Sequence, residues 1–143
     1  MRLLLLPLLL LAMAPVQAEV IQTDICVFGG TAGGVAAACT AARLGKSVVL
    51  TEYGKHIGGL TSGGLGWTDI GNKAAIGGFG REFYRRLGRF YGKDEAWTFE
   101  PHVAEAELRA LLLAENVRAY YGQRLATVTK EGQRITEIAM EDG

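Results

Sequence analysis

Val27 to Gly34 reads VFGGTAGG, and its glycines at 29, 30, 33 and 34 are spaced so that backbone N–H groups can close around an anion. The stretch joins an apolar run to an alanine-rich one, where a helix N-terminus would offer unpaired amides and partial positive charge to a phosphate. A dinucleotide fingerprint of the form GxGxxG needs its first glycine for a tight turn, its second for approach of the pyrophosphate, and its last for close packing of helix on strand. Gly29 and Gly34 fill the first and last roles, and Thr31 stands in the second. Thr31 carries a Cβ, but its hydroxyl can cap a helix beginning near Ala32 or donate to a phosphate oxygen. Eighteen residues beyond Gly34, Glu52 closes a second apolar run. A carboxylate there can accept hydrogen bonds from both ribose hydroxyls and would repel a 2′-phosphate, which disfavours NADP.

A second glycine cluster follows at Gly58, Gly59, Gly63, Gly64 and Gly66, interleaved with Ile57, Leu60, Leu65 and Trp67. A solvated linker has no use for those apolar residues. A nicotinamide dinucleotide in a simple βαβ site needs only the first loop and the strand-end acid. An extended flavin dinucleotide would also need the second cluster's backbone to come close, so the choice between FAD and NAD rests on Gly58–Gly63.

The elements that must position these residues are legible around them. ICVF, Ile25 to Phe28, is a short apolar run ended by glycine and predicts a central parallel strand buried on both faces. Ala32 to Leu44 predicts a helix stopped at Gly45, and KSVVLTE a second strand ending at Glu52. Together they make one βαβ unit. Tyr53 to Gly78 has little periodicity, and a loop of that length in a small domain is usually functional. Phe79 to Tyr91 turns helical, with Phe79, Phe83, Leu87 and Phe90 on one side and Arg81, Arg85 and Arg89 on a face read as solvated. FEPHVAEAELRALLLAEN predicts a further helix with Pro101 in its first turn, Val117 to Tyr121 a strand, and the alternation around Glu131-Gly132 a hairpin.

The chain opens MRLLLLPLLLLAMAPVQAEV, one Arg and an apolar run leading to a small-residue step at Ala18. This predicts a Sec-type signal peptide over residues 1–18, export to the periplasm or beyond, and no membrane span once the signal is removed. Without it, 14 basic residues face 15 acidic ones, a balance that gives no support to nucleic-acid binding. Cys26 and Cys39 fall on a strand and on the helix packed against it, too far apart for a bridge, and both read as small buried residues. Two cysteines cannot hold an iron–sulfur cluster, and His56 and His102, without a matching set of ligands, make no metal site. His56 reads as a polar loop contact, His102 as a surface or capping residue, and Trp67 and Trp97 as packing residues. Ser62 and Asp69 lack any hydrolase context.

The runs DICVFGGTAGGVAAACTAARLGKSVVLTE, HIGGLTSGGLGWTDIG, IGGFGREFYRRLG and WTFEPHVAE together resemble the N-terminal part of the FAD-dependent oxidoreductases of the glutathione-reductase-like superfamily. More narrowly, they resemble the secreted, heterodisulfide-reductase-A-like FAD oxidoreductases. The resemblance implies an α/β, Rossmann-like βαβ FAD-binding domain with a parallel sheet and a C-terminal β-hairpin over residues 19–143. It implies FAD as cofactor, cradled by Gly29, Gly30, Thr31, Ala32, Gly33 and Gly34. It places Glu52 on the adenosine ribose. Lys55, Gly58, Gly59, Leu60, Thr61, Ser62 and Gly63 complete the cofactor set, the glycine turn wrapping the pyrophosphate and ribityl side. Related proteins continue with a further strand that closes the FAD site and with a substrate domain, so the chain is expected to be the cofactor-binding portion of a longer exported flavoenzyme. No catalytic residue is assigned, because the flavin carries the hydride and the protein positions it. The alternative is a module that binds FAD or NAD without turnover, or an inactive fragment. Substrate and electron acceptor are not assigned.

Overall fold

The computed structural model describes residues 19–69 and 71–141; the predicted export signal lies outside them. Strand β1 (Ile25–Phe28), helix α1 (Ala32–Arg43) and strand β2 (Val48–Glu52) form the predicted βαβ unit. Helices α2 (Gly78–Phe90) and α3 (Pro101–Ala114) follow, then strand β3 (Arg118–Tyr121) and the hairpin strands β4 (Leu125–Glu131) and β5 (Arg134–Met140). The three parallel strands lie in the order β1-β2-β3, and β4 and β5 pair antiparallel as a separate sheet.

The register of β1 on β2 starts at a polar lock. Asp24 Oδ2 accepts from both the N–H and the hydroxyl of Ser47, at 2.9 and 2.8 Å, and the Asp24 N–H donates back to Ser47 Oγ at 2.8 Å. From there Val27 pairs Leu50 and Phe28 pairs Thr51, which brings the ends of both strands to the same level. Helices α1 and α3 pack over the face carrying Val48 and Leu50, and the core runs on through Val35, Cys39, Phe83, Leu87, Leu108 and Leu111. Arg43 ties three helix ends together, donating to Glu82 on α2 and to Glu115 just past α3, each at 2.7 Å. That bond holds the Glu82 carboxyl below its ordinary range.

The expectations for β1 fail, and for a common reason. Strand β1 is an edge strand and β2 takes the central place. By strand alternation and register, Cys26, Phe28, Val49, Thr51, Arg118 and Tyr120 share the other face of the sheet, which no helix covers among the described residues. Cys26 is therefore exposed and Phe28 is 52% exposed, whereas Cys39, inside α1, is buried as predicted. Burial pushes the Cys39 thiol up to about 11, and both cysteines are free. Trp97 is buried and stacks on Tyr84 at 4.1 Å between centroids, but Trp67 is 72% exposed, and Phe90 is exposed at the end of α2.

The arginine stripe on α2 is only partly solvated. Arg81 turns inward, pairing with Glu95 at 2.9 Å, donating to the carbonyls of Ile76 and Lys73, and lying 5.9 Å from the Trp97 ring centroid. It fastens the long loop to α2. Arg85 lies 3.4 Å from the same carboxylate, and Arg89 is exposed. None of the described helices is long and apolar enough to cross a membrane.

Candidate functional site

The β1–α1 turn is built as the fingerprint requires, and the reason can be read atom by atom. Gly29 N–H donates to Thr51 O at 2.8 Å, which carries the strand pairing one residue past β1. Thr31, in extended conformation, is the N-cap of α1, its hydroxyl oxygen accepting from Gly34 N–H at 3.1 Å. That leaves the hydroxyl proton available to a phosphate. Gly34 sits where helix and strand cross most closely, and a Cβ there would overlap the carbonyl oxygen of Gly29. A Cβ on Gly29 would meet nothing, and one on Gly33 only Thr31 Oγ1 at 3.8 Å. The turn is thus crowded beneath Gly34 and open above Gly29 and Gly33, as a pyrophosphate cradle must be.

Glu52, at the end of β2, turns toward this loop. Its Oε2 accepts from Gly30 N–H and its Oε1 from Gly54 N–H, both at 2.6 Å. Each oxygen keeps a second acceptor direction, so the carboxylate can hold the two loops and still receive two hydroxyls. Its strand end is secured to the end of β3, because Gln123 N–H donates to Glu52 O and Gly122 N–H to Gly54 O, both at 3.0 Å.

The second cluster docks on the first. Gly58 N–H donates to Gly30 O at 2.6 Å, and Thr31 and Gly58 form an isolated parallel bridge. Gly58 has φ +103°, and a Cβ on it would lie 2.7 Å from Leu108 Cδ1 and overlap Ser62 Oγ. Gly59 to Thr61 make one turn of 3-10 helix over Thr31, and Ser62 closes it by donating to Ile57 O. Gly63 N–H returns to Leu60 O at 3.3 Å. Ile57 is fully buried beneath the turn, while Leu60 and Leu65 stand exposed beside it.

All of Gly29 to Gly34, Glu52 and Gly58 to Gly63 therefore gather at the C-terminal ends of the parallel strands, the place where open α/β sheets bind ligands. Lys55 is the exception in kind: its side chain is exposed and its carbonyl accepts from Arg109 Nη2 at 2.9 Å, so its main chain faces α3. Gly66 has another role, since a Cβ there would overlap Phe99 O where residues 66–68 pair with 97–99. His56 points to Glu105 at 2.8 Å, a polar loop contact as predicted, and His102 is exposed.

Residues that sequence reasoning passed over frame the site. Tyr53 accepts from Arg124 Nη2 at 3.0 Å, with the guanidinium 4.9 Å from its ring centroid, beside Glu52. Glu105 and Arg109 grip the segment before Gly58. Their i, i+4 spacing was the available signal, but such pairs usually lie on exposed helix faces. A surface groove of about 1000 Å³ lies elsewhere, lined on α2 by Arg81, Arg85 and Arg89; part of its charge is consumed by Glu95. Among the described residues no group of three or more His, Cys, Asp or Glu side chains could hold a metal ion.

Comparison with known proteins agrees with this fold. The chain is 38% identical over 80 residues to 4-oxocyclohexanecarboxylate 2-dehydrogenase of Sinomonas cyclohexanicum, a match covering 50% of this chain and 14% of that protein. It thus spans a small part of that relative's length. Its fold is similar to 3-ketosteroid-Δ4-(5α)-dehydrogenase of Rhodococcus jostii RHA1, with TM-score 0.55 and 17% identity over 83% of this chain and 42% of that one. Thioredoxin reductase of Lactococcus lactis gives TM-score 0.56 and 18% identity over 85% of this chain and 32% of that one. Residues 24–143 match the family model described as FAD dependent oxidoreductase, and with the paired glycine loops and strand-end glutamate in place, the chain belongs to that family.

Proposed function

We propose that the chain holds FAD across its two glycine clusters and forms the cofactor-binding portion of an exported flavin-dependent dehydrogenase. The observation that carries the reading is the joint between the loops, Gly58 N–H on Gly30 O with Glu52 clamping Gly30 and Gly54. A nicotinamide site of the simple βαβ kind has no need of that joint, whereas a cofactor extended along the strand ends would touch both loops. Bound FAD would supply the acceptor for a hydride taken from substrate. The chain's own residues would bind and orient: the α1 N-terminus and Thr31 hydroxyl at the pyrophosphate, Glu52 at the ribose, and the Gly58–Gly63 turn beyond it. The relative's printed name, a dehydrogenase of an oxocyclohexane carboxylate, supports oxidation of a small carbonyl compound as the reaction class. The apolar leader with its single Arg supports export, and a mature N-terminus at Glu19 is the outcome expected from N-terminal sequencing.

Gly59 tests the joint. It has φ +55°, and a Cβ there would stand 3.6 Å from Thr31 Cα, Cβ and Cγ2. A β-branched residue at positive φ is strained by about 1–3 kcal/mol, and the added methyls of Gly59→Val would lift the turn off Thr31. The variant should lose flavin absorbance on gel filtration while its far-UV circular dichroism stays unchanged. Flavin retained at wild-type occupancy would reduce the second cluster to a linker and remove the argument for FAD.

A further inference from the structure

The segment from Lys55 to Ile57 carries the chain from Glu52 to the second glycine turn, and it belongs to no helix or strand. One turn of α3 grips it. Glu105 Oε2 meets His56 Nδ1 at 2.8 Å, and Oε1 accepts from Ile57 N–H at 3.4 Å. Arg109 donates through Nε to Glu105 Oε1 at 3.0 Å, through Nη2 to Lys55 O at 2.9 Å, and through Nη1 to Tyr121 Oη at 2.6 Å. Its guanidinium also lies 4.5 Å from the Tyr121 ring centroid. Tyr121 pairs with Glu52 across the sheet, and Leu108, between the two grip residues, backs Gly58. The Glu105 side chain is only 16% exposed; burial would raise its carboxyl, but the bonds from His56 and Arg109 prevail and hold it below its ordinary value.

We propose that Glu105 and Arg109 are positioning residues that set the affinity of the site for the flavin-side half of the dinucleotide. This rests on the FAD reading above. The pair fixes the height at which residues 55–58 leave α3, and so whether Gly58 N–H reaches Gly30 O. The adenylate half depends on the β1–α1 turn and on the Glu52 carboxylate, whose partners are Gly30 and Gly54 N–H and not Glu105 or Arg109. Arg109 matters for its fork: one guanidinium reaches the loop carbonyl, the carboxylate and the phenol together, which a lysine ammonium on a flexible stem does not reproduce.

The test is calorimetric titration of the natural protein, stripped of any bound flavin, with FAD and separately with AMP. In Arg109→Ala, FAD should bind roughly tenfold or more weakly, the size of coupling through a shared hydrogen-bond network, while AMP stays within about twofold. Glu105→Gln, which keeps shape and helix propensity, should show the same selective loss, and Arg109→Lys should not restore it. Combining Glu105→Gln with Arg109→Ala should add little, since both open one network. Arg86→Ala, which removes the 2.9 Å bond from α2 to Glu107 on α3 and touches neither grip residue, should leave both ligands unaffected. Equal losses for FAD and AMP, unchanged FAD affinity in both Glu105 and Arg109 variants, or the same effect from Arg86→Ala would overturn the proposal. A wild-type protein that takes up no FAD would overturn the FAD reading itself, and the proposal with it.

Discussion

Gly34→Ala should destabilise the fold by about 3 kcal/mol and abolish FAD binding, whereas Gly33→Ala, one residue earlier, should leave stability intact or raise it. Both changes gain helix propensity, up to about 1 kcal/mol in a helix interior. They differ in what the new methyl meets. At Gly33 it finds Thr31 Oγ1 at 3.8 Å, an ordinary contact, while at Gly34 it overlaps the Gly29 carbonyl oxygen, which is backbone and has no rotamer to yield. Relief requires α1 to move off β1, and overpacking of this kind costs roughly 1–3 kcal/mol or more. The displaced helix takes its N-terminal amides away from the cradle. Urea denaturation of the two variants reads the difference, and a Gly34→Ala protein as stable as wild type would mean that helix and strand do not cross this closely.

Glu52→Gln should be nearly as damaging as Glu52→Ala, although it is the conservative change. The carboxylate receives two main-chain N–H groups, Gly30 on one oxygen and Gly54 on the other, at 2.6 Å each. An amide offers one acceptor oxygen, so its NH2 must face one of those donors. Hydrogen bonds to charged groups contribute about 1.5–3 kcal/mol each. With Glu52 half-buried, the expected loss is about 2 kcal/mol of stability from the mispaired loop. FAD affinity should fall roughly 100-fold or more, since charge-assisted bonds to the ribose go as well. Paired denaturation and FAD titrations measure both, and a Gln variant that binds FAD like wild type would place the ribose elsewhere.

What the sequence made legible were features whose cause is local. The tight turn at Gly29, the Thr31 cap and the acid at the end of β2 all depend on residues close in the chain or on a fixed strand length, and they stand where the spacing put them. The rank of β1 in the sheet was not of this kind. An apolar run four residues long looks the same at an edge as at the centre, because periodicity reports side-chain burial and not the number of neighbouring strands. Nor does such a run say whether a second layer covers the far face of the sheet, and Cys26 and Phe28 stand exposed because no described helix lies over it.

The second class of misses comes from contacts closed over long stretches of chain. Arg81 looked like part of a solvated stripe because Glu95 and Trp97, which draw it inward, lie beyond the end of its helix. Glu105 and Arg109 could be seen as an i, i+4 pair, but Lys55, His56 and Tyr121 meet them only once α3 is laid across the sheet. For Trp67 residue type alone suggests packing, but the pairing of residues 66–68 with 97–99 leaves its ring outside.

A crystal structure of the natural protein with FAD would show whether one dinucleotide lies across both glycine loops. That arrangement puts ribose hydroxyl oxygens within about 2.6–3.2 Å of the Glu52 carboxylate, pyrophosphate oxygens at similar distances from the N-terminal amides of α1 and the Thr31 hydroxyl, and the chain of the flavin past Gly58–Gly63. FAD bound in the α2 groove, or with its pyrophosphate away from Gly29–Gly34 and Glu52 free of the ribose, would contradict it.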